Sequence, residues 1–301
     1  MARATPPAPS TQDRVIRVAA TDVGTLPICD VARLPDGKLL LALGEAGARL
    51  VTPDGRTLTH FDLPAHRLVL SDHGTRALLL APRGVLQKVA RADLQARTAS
   101  EWGELRLDTY ARSFDGSQWF VGVGSEVLAL DTTSSKQKAL WRVDKLPGKV
   151  ESLCRAESQL PLVLRASPPE LWTYELPRLT LRTRGAVRLA KEAQQAALDV
   201  DRTGQVGAMW RVEHTFPYQA LRLDHSAPGW TDAPKVLSAP TMEPLPITLE
   251  PKWVLAPVKE PEGVTCHLIS VEGQRVPLQV VLDRARSVCA RFGADDVLTL
   301  A

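Results

Sequence analysis

Asparagine is absent from this chain, and its absence removes two devices at once. No Asn-x-Ser/Thr sequence can accept an N-linked glycan, and no Asn-Gly pair can form a tight hairpin turn. Cysteine is almost as scarce. The four thiols, Cys29, Cys154, Cys266 and Cys289, stand far apart with no C-x-x-C pair, so neither a disulfide framework nor a zinc ribbon is encoded. Each sits in an apolar, strand-like stretch and is expected to be a small buried hydrophobe.

Other signatures are missing too. The six histidines, His60, His66, His73, His214, His225 and His267, show no HxH, HxxxH or HExxH spacing. There is no G-x-S-x-G elbow, Walker A loop or dinucleotide fingerprint. No catalytic residue, metal or cofactor is therefore expected. A net charge of +3 over 301 residues excludes strong attraction to nucleic acid or to an anionic membrane. No apolar run reaches membrane-spanning length, and the stretch MARATPPAPSTQ lacks the apolar core of a secretory signal. A cytoplasmic location is expected. The 27 Arg against 10 Lys, with no Asn, point to a GC-rich bacterial coding sequence.

What fills the chain is repetition. Polar turns centred near Gly37, Gly74, Gly116, Ser158, Gly204, Pro251 and Gly293 lie 37, 42, 42, 46, 47 and 42 residues apart. Each leads into a short apolar stretch: KLLLALG, TRALLLA, SQWFVGVG, LPLVLR, GQVGAMW, KWVLAP and DVLTLA. Asp-Gly supplies the turns at Asp36-Gly37, Asp54-Gly55 and Asp115-Gly116, where glycine accepts the positive φ that a tight hairpin needs. A period near 43 residues with strand-type units predicts an all-β propeller of four-stranded blades.

The expected organisation is a disordered arm over residues 1–12 and one propeller domain over 13–301. Blade one is the cleanest, with ICDVARL, KLLLALG, ARLVT and RTLTHFDL as its strands. Blade two runs from Arg67 to Leu107. Blade three takes DTYARSF as its first strand, and blade four runs from Glu151 to Leu189 with Pro161, Pro168 and Pro169 expected at strand starts and loops. RLAKEAQQAAL, residues 188–198, reads either as strand and loop or as a short helix. Blade five contains YQALRLD and a long proline-rich excursion, and blade six contains PITLE, KWVLAPV, VTCHLISV and RVPLQVVL. Blade seven has only two strands, from Ala285 onward, so the alternating strand RVIRVAA at residues 14–20 is expected to close the ring. Seven blades is the expected count. Six blades with an extra sheet is the alternative.

The blades resemble the β-propeller superfamily without matching its named subfamilies. Trp-Asp and Gly-His pairs are absent, which argues against WD40, and no Gly-Gly doublet marks a kelch blade. VLALDTTSSKQKALW resembles a quinoprotein repeat through Ala129, Asp131 and Trp141, but Ser135 replaces its glycine and the motif does not recur. Calcium-dependent lactonase propellers need an asparagine ligand that this chain cannot supply. The degenerate Asp-Gly blades are similar to the propeller components of bacterial systems built on MoxR-type AAA+ ATPases and von Willebrand A proteins. That resemblance implies one of those proteins as partner.

Candidate recognition residues follow from the excursion in blade five, where Phe216, Tyr218, Trp230 and Met242 lie among prolines. Long loops on rigid scaffolds carry recognition, and aromatics and methionine are enriched at interfaces. Two basic stretches, Arg178 to Lys191 and Lys136 to Lys149, could serve a phosphate-rich ligand only if they shared a face. Gly124-Ser125 reads as a strand connection, and Asp72-His73 as a solvated turn. The expected function is a non-catalytic scaffold for protein–protein interaction in a bacterial multi-component system. The alternative is a propeller enzyme or small-ligand binder that uses the central channel.

Overall fold

The alternating runs become strands in a computed structural model of the chain. It describes residues 27–156, 159–165, 170–176, 180–188, 193–200, 206–212, 218–223, 235–237, 253–260, 263–270, 275–282, 290–292 and 298–300. No helix occurs among the described residues, and the strands form seven sheets in chain order. The first sheet holds β1 (Asp30–Arg33), β2 (Leu39–Ala42), β3 (Ala48–Val51) and β4 (Thr57–Phe61). The second holds β5 (Arg67–Ser71), β6 (Arg76–Arg83), β7 (Leu86–Asp93) and β8 (Thr98–Leu105). Next come β9 (Thr109–Tyr110), β10 (Ser113–Phe114), β11 (Gln118–Val123), β12 (Glu126–Asp131) and β13 (Ala139–Val143).

The fourth sheet holds β14 (Lys149–Leu153), β15 (Gln159–Arg165), β16 (Glu170–Glu175) and β17 (Thr180–Arg188). The fifth holds β18 (Ala193–Val200), β19 (Val206–Val212), β20 (Tyr218–Leu223) and β21 (Lys235–Leu237). The sixth holds β22 (Trp253–Glu260), β23 (Gly263–Ser270) and β24 (Arg275–Leu282), and the seventh β25 (Ala290–Phe292) and β26 (Leu298–Leu300). First strands of successive sheets lie side by side: β1 against β5, β9 against β14, and β14 against β18. β1 also lies against β25 and β26.

Why the second strand of each unit is so apolar is visible in its packing. Ala77 and Leu79 face the first sheet, in a core with Leu40, Ala42, Leu50 and Phe61. Leu78 and Leu80 face the third sheet, in a core with Phe114, Trp119 and Val121. A strand covered on both faces has no polar side to show, so TRALLLA reads as a continuous run. Trp119 is fully buried there, and its indole N–H donates to the Ala111 carbonyl at 2.9 Å.

A different feature recurs in five outer strands. Leu58 in β4, Trp102 in β8 and Leu140 in β13 each fall at a break in register, and β17 and β24 are interrupted in the same way. An extra residue twists an edge strand away from a flat template, which discourages pairing with another chain.

Two sequence expectations change, and one open alternative is resolved. DTYARSF does not stay in one sheet: β9 pairs antiparallel with β11, whereas β10 crosses over to pair in parallel with β5. Phe114 draws it across, because its ring is buried in the core between the second and third sheets. Pro161 lies inside β15, opposite Thr173, rather than at a strand start. Its carbonyl accepts from Cys154 N–H at 3.1 Å, one residue past the end of β14. The proline thus forgoes a single reciprocal donor at the margin of that pairing, where the ladder is ending. Residues 193–200 form β18 and pair along β19, so the helical reading is set aside. Pro168, Pro169, the arm at 1–12, the strand at 14–20 and PITLE lie outside the described residues.

Candidate functional site

The turns that follow the first strands bring charged groups from several sheets together at one end. Asp36 sits in the first such turn, where its carboxylate accepts from Lys38 N–H at 3.2 Å and from Lys38 Nζ at 2.6 Å. The Lys38 ammonium holds the Asp36 carboxyl below its ordinary value, although burial opposes it. In the second turn, Gly74 takes φ +64, and a β-carbon there would come 2.4 Å from Pro35 Cδ. The second turn is therefore packed directly on the first. His73 is exposed beside it, as the solvated-turn reading expects.

Asp72, Asp115 and Arg155 come from the turns of the second, third and fourth sheets. The Arg155 guanidinium donates to the Asp72 carboxylate through Nη1, and its Nη2 lies 3.8 Å from Asp115 Oδ2. Asp115 also accepts from Ser117 N–H at 2.8 Å and Gln118 N–H at 2.7 Å. Burial raises the Asp115 carboxyl, but the Gln118 and Ser117 donors and Arg155 outweigh it and hold it below the usual range. Arg76 adds a bond from Nη1 to the Gly116 carbonyl at 3.1 Å.

Other bonds run between sheets along the same inner strands. Asp30 is only 3% exposed, and its Oδ2 accepts from Leu68 N–H at 2.9 Å. Ser152 Oγ accepts from Leu198 N–H at 2.9 Å. Farther out, Arg91 Nη1 donates to the Thr132 and Ser134 carbonyls at 3.1 and 2.6 Å, and Trp102 Nε1 also reaches Ser134 O at 3.1 Å. The Arg91 guanidinium lies 5.8 Å from the centroid of the Trp102 ring. Gln137, with its amide turned to satisfy both groups, accepts from Glu104 N–H at 3.1 Å and donates to Glu104 O at 3.2 Å. It occupies the open edge of β8.

At the opposite end of the inner strands, Asp108 Oδ2 accepts from Gly124 N–H at 2.8 Å and lies 3.4 Å from Lys149 Nζ. That places Gly124-Ser125 in a tight connection between β11 and β12, as expected. Close to the same end, Cys29 Sγ and His66 Nε2 each lie 3.4 Å from the point a β-carbon on Gly44 would occupy.

Of the four candidate recognition residues, the structure describes the backbone of Tyr218 alone, at the start of β20 and opposite Arg211 and Leu237. Phe216, Trp230 and Met242 lie outside the described residues. The basic stretch from Lys136 to Lys149 does not form one patch. Lys136 and Lys138 precede β13, whereas Lys149 opens β14 and pairs with Asp108; Arg142 pairs with Glu126 at 3.1 Å. Arg155, Asp30 and the Cys29–His66 pair were not singled out by sequence. The loss of the glycine turn in the fourth unit is the signal that marks the neighbourhood of Arg155.

No family model matches the sequence, and no curated protein matches it. Solved structures do. A chain of the mitotic checkpoint complex superposes with TM-score 0.62 at 12% identity, covering 98% of this chain and 93% of that one. A chain of hydrazine synthase from Kuenenia stuttgartiensis superposes with TM-score 0.60 at 11% identity, over 95% and 98% of the two chains. TolB from Acinetobacter baumannii gives TM-score 0.52 at 13% identity over 83% of this chain. All three have propeller-type folds. This chain is a β-propeller. The sheets described above carry the strands of that fold, and the match spans 63% of the length of the TolB chain.

Proposed function

We propose that this propeller is a non-catalytic scaffold that presents a rigid surface to other proteins. The observation that carries the reading is how the described charges at the blade turns are used. Asp72, Asp115 and Arg155 are spent on one another across three blades, which stiffens the body. The likeness to a chain of the mitotic checkpoint complex, a protein assembly, supports protein partners in general. In the finer reading the ring has seven blades and the strand at 14–20 completes the seventh. Seven sheets in chain order, and the contact of β1 with β25 and β26, support it.

The partner in this reading is a MoxR-type AAA+ ATPase or a von Willebrand A protein in the bacterial cytoplasm, held by Phe216, Tyr218, Trp230 and Met242. Affinity capture with the tagged full chain tests it. Serine at those four positions should abolish capture, while Val85→Ser, at an exposed position of the second sheet's turn, retains it. Capture that survives replacing residues 226–234 with a short Gly/Ser linker, in a folded protein, overturns the assignment.

A further inference from the structure

We propose that the loop joining β12 to β13, residues 132–138, is a strap that closes the outer edge of blade two, and that Gln137 stands there in place of a strand residue and keeps β8 from pairing with a second copy of this chain. This goes beyond the scaffold reading and does not depend on it. A primary amide carries an acceptor oxygen and an N–H donor, the pair that a residue of a neighbouring strand would offer. Gln137 presents both to Glu104. Its amide oxygen accepts from Glu104 N–H at 3.1 Å, and its nitrogen donates to Glu104 O at 3.2 Å. Gly103 leaves room for this approach, since a β-carbon there would come 2.5 Å from the Gln137 amide.

The strap is anchored before it reaches that edge. Thr132 N–H donates to Ser117 O at 2.8 Å, and Thr132 Oγ1 donates to Gly116 O at 3.1 Å. The Asp131 carboxylate accepts from Thr133 N–H at 2.9 Å and from Ser134 N–H at 3.3 Å, which curls the chain back toward blade two. The Ser134 carbonyl then accepts from Arg91 of β7 at 2.6 Å and from Trp102 of β8 at 3.1 Å. Gln137 is thus delivered to β8 by a loop already fixed at both blades.

What β8 lacks shows why it needs cover. Edge strands are ordinarily protected by shortness, by charge or by a bulge. β8 has eight residues, whereas β4 and β13, the other outer strands with described side chains, have five each. Its charges are neutralised within the blade: Glu104 pairs with Arg83, and Glu101 lies 3.7 Å from Lys88. Neither carboxylate is left to repel an approaching copy. The bulge falls at Trp102, two residues short of the backbone pair that Gln137 covers. An edge that pairs with itself closes as a dimer about a two-fold axis, so a second copy is the partner that the strap excludes.

The test is light scattering of the full chain over a concentration series, with hydrogen exchange of Thr98–Leu105 read by mass spectrometry at each concentration. Wild type should stay monomeric with that segment equally protected throughout. Gln137→Ala should self-associate at least tenfold more tightly, its Thr98–Leu105 segment losing protection when dilute and regaining it when concentrated. Adding Glu104→Pro to Gln137→Ala should restore the monomer, because proline removes the N–H that a second copy would use, and that N–H faces Gln137 rather than β7. Should Gln137→Ala fail to fold, Gln137→Met, which keeps the stem and removes both amide groups, takes its place. A monomeric Gln137 variant overturns the proposal, as does wild type that associates to the same degree. Association without renewed protection of Thr98–Leu105, or association that persists with Glu104→Pro, overturns it as well, since another surface would then be responsible.

Discussion

The guanidinium of Arg155 in blade four grips the carboxylate of Asp72 in blade two, 83 residues earlier in the chain. It also reaches Asp115 of the intervening blade. The Arg155 side chain is only 18% exposed, so the contact is shielded more than a surface pair is. Such a contact resists relative rotation of three blades at once.

Arg155→Met should therefore destabilise the protein by about 1–3 kcal/mol, more than an exposed pair would contribute. Urea unfolding of Arg155→Met, Asp72→Asn and the double variant would measure it. The two single costs should exceed the cost of the double variant. Strict additivity would show that the two groups do not interact in solution.

Acid should weaken the opposite end of the inner strands. The Gly124 N–H holds the Asp108 carboxyl below its ordinary 3.8; burial opposes this and Lys149 adds to it. A depressed folded value means that the unfolded chain binds the proton first as pH falls. The stability from Asp108 is thus complete above 3.8 and is lost as pH drops through the lower folded value. Asp108→Asn should flatten the fall in melting temperature below that point. An unchanged slope would remove Asp108 from the acid response.

Two glycines with nearly equal φ separate strain from collision. Gly74 and Gly84 have φ +64 and +63, but only Gly74 has a neighbour, Pro35, in the way of a β-carbon. Gly84→Ala should cost about 1–2 kcal/mol, the penalty of a left-handed residue. Gly74→Ala should cost clearly more, because the blade-two turn must lift off Pro35. Equal melting temperatures for the two variants would mean that the turns are not packed in solution.

Ring closure can be tested by shortening the chain. A variant beginning at residue 13 should match the full chain, whereas one beginning at residue 21 should aggregate or melt earlier, with its last blade left open at an edge. Equal stability and monodispersity of the two would assign closure to another segment.

Much of this architecture was legible before any coordinates. Asp36-Gly37 and Asp115-Gly116 turn where expected, and Leu39–Ala42 of KLLLAL are buried on both faces, with Leu40 and Ala42 packed toward the second sheet. What could not be read depends on register between distant strands. Nothing near Pro161 announces that β14 ends beside it, and nothing in DTYARSF announces that Phe114 belongs to the neighbouring core. Arg155 and Asp72 acquire meaning only when separate repeats are laid side by side. The aromatics of blade five were the natural candidates by composition, and the described structure reaches only the backbone of Tyr218.

The transfer of β10 to the second sheet bears on the order in which the chain can become complete at the ribosome. Strands β5 to β8 emerge together, yet the inner border of their sheet is finished only by Ser113 and Phe114. A nascent chain that ends at Leu105 therefore exposes the backbone of Leu70 and Ser71, with no partner of its own to cover it. Blade two waits for blade three to begin. A pause in translation that holds the emerged chain between residues 105 and 114 should leave this intermediate open to chaperones for longer than a pause that lets Phe114 emerge.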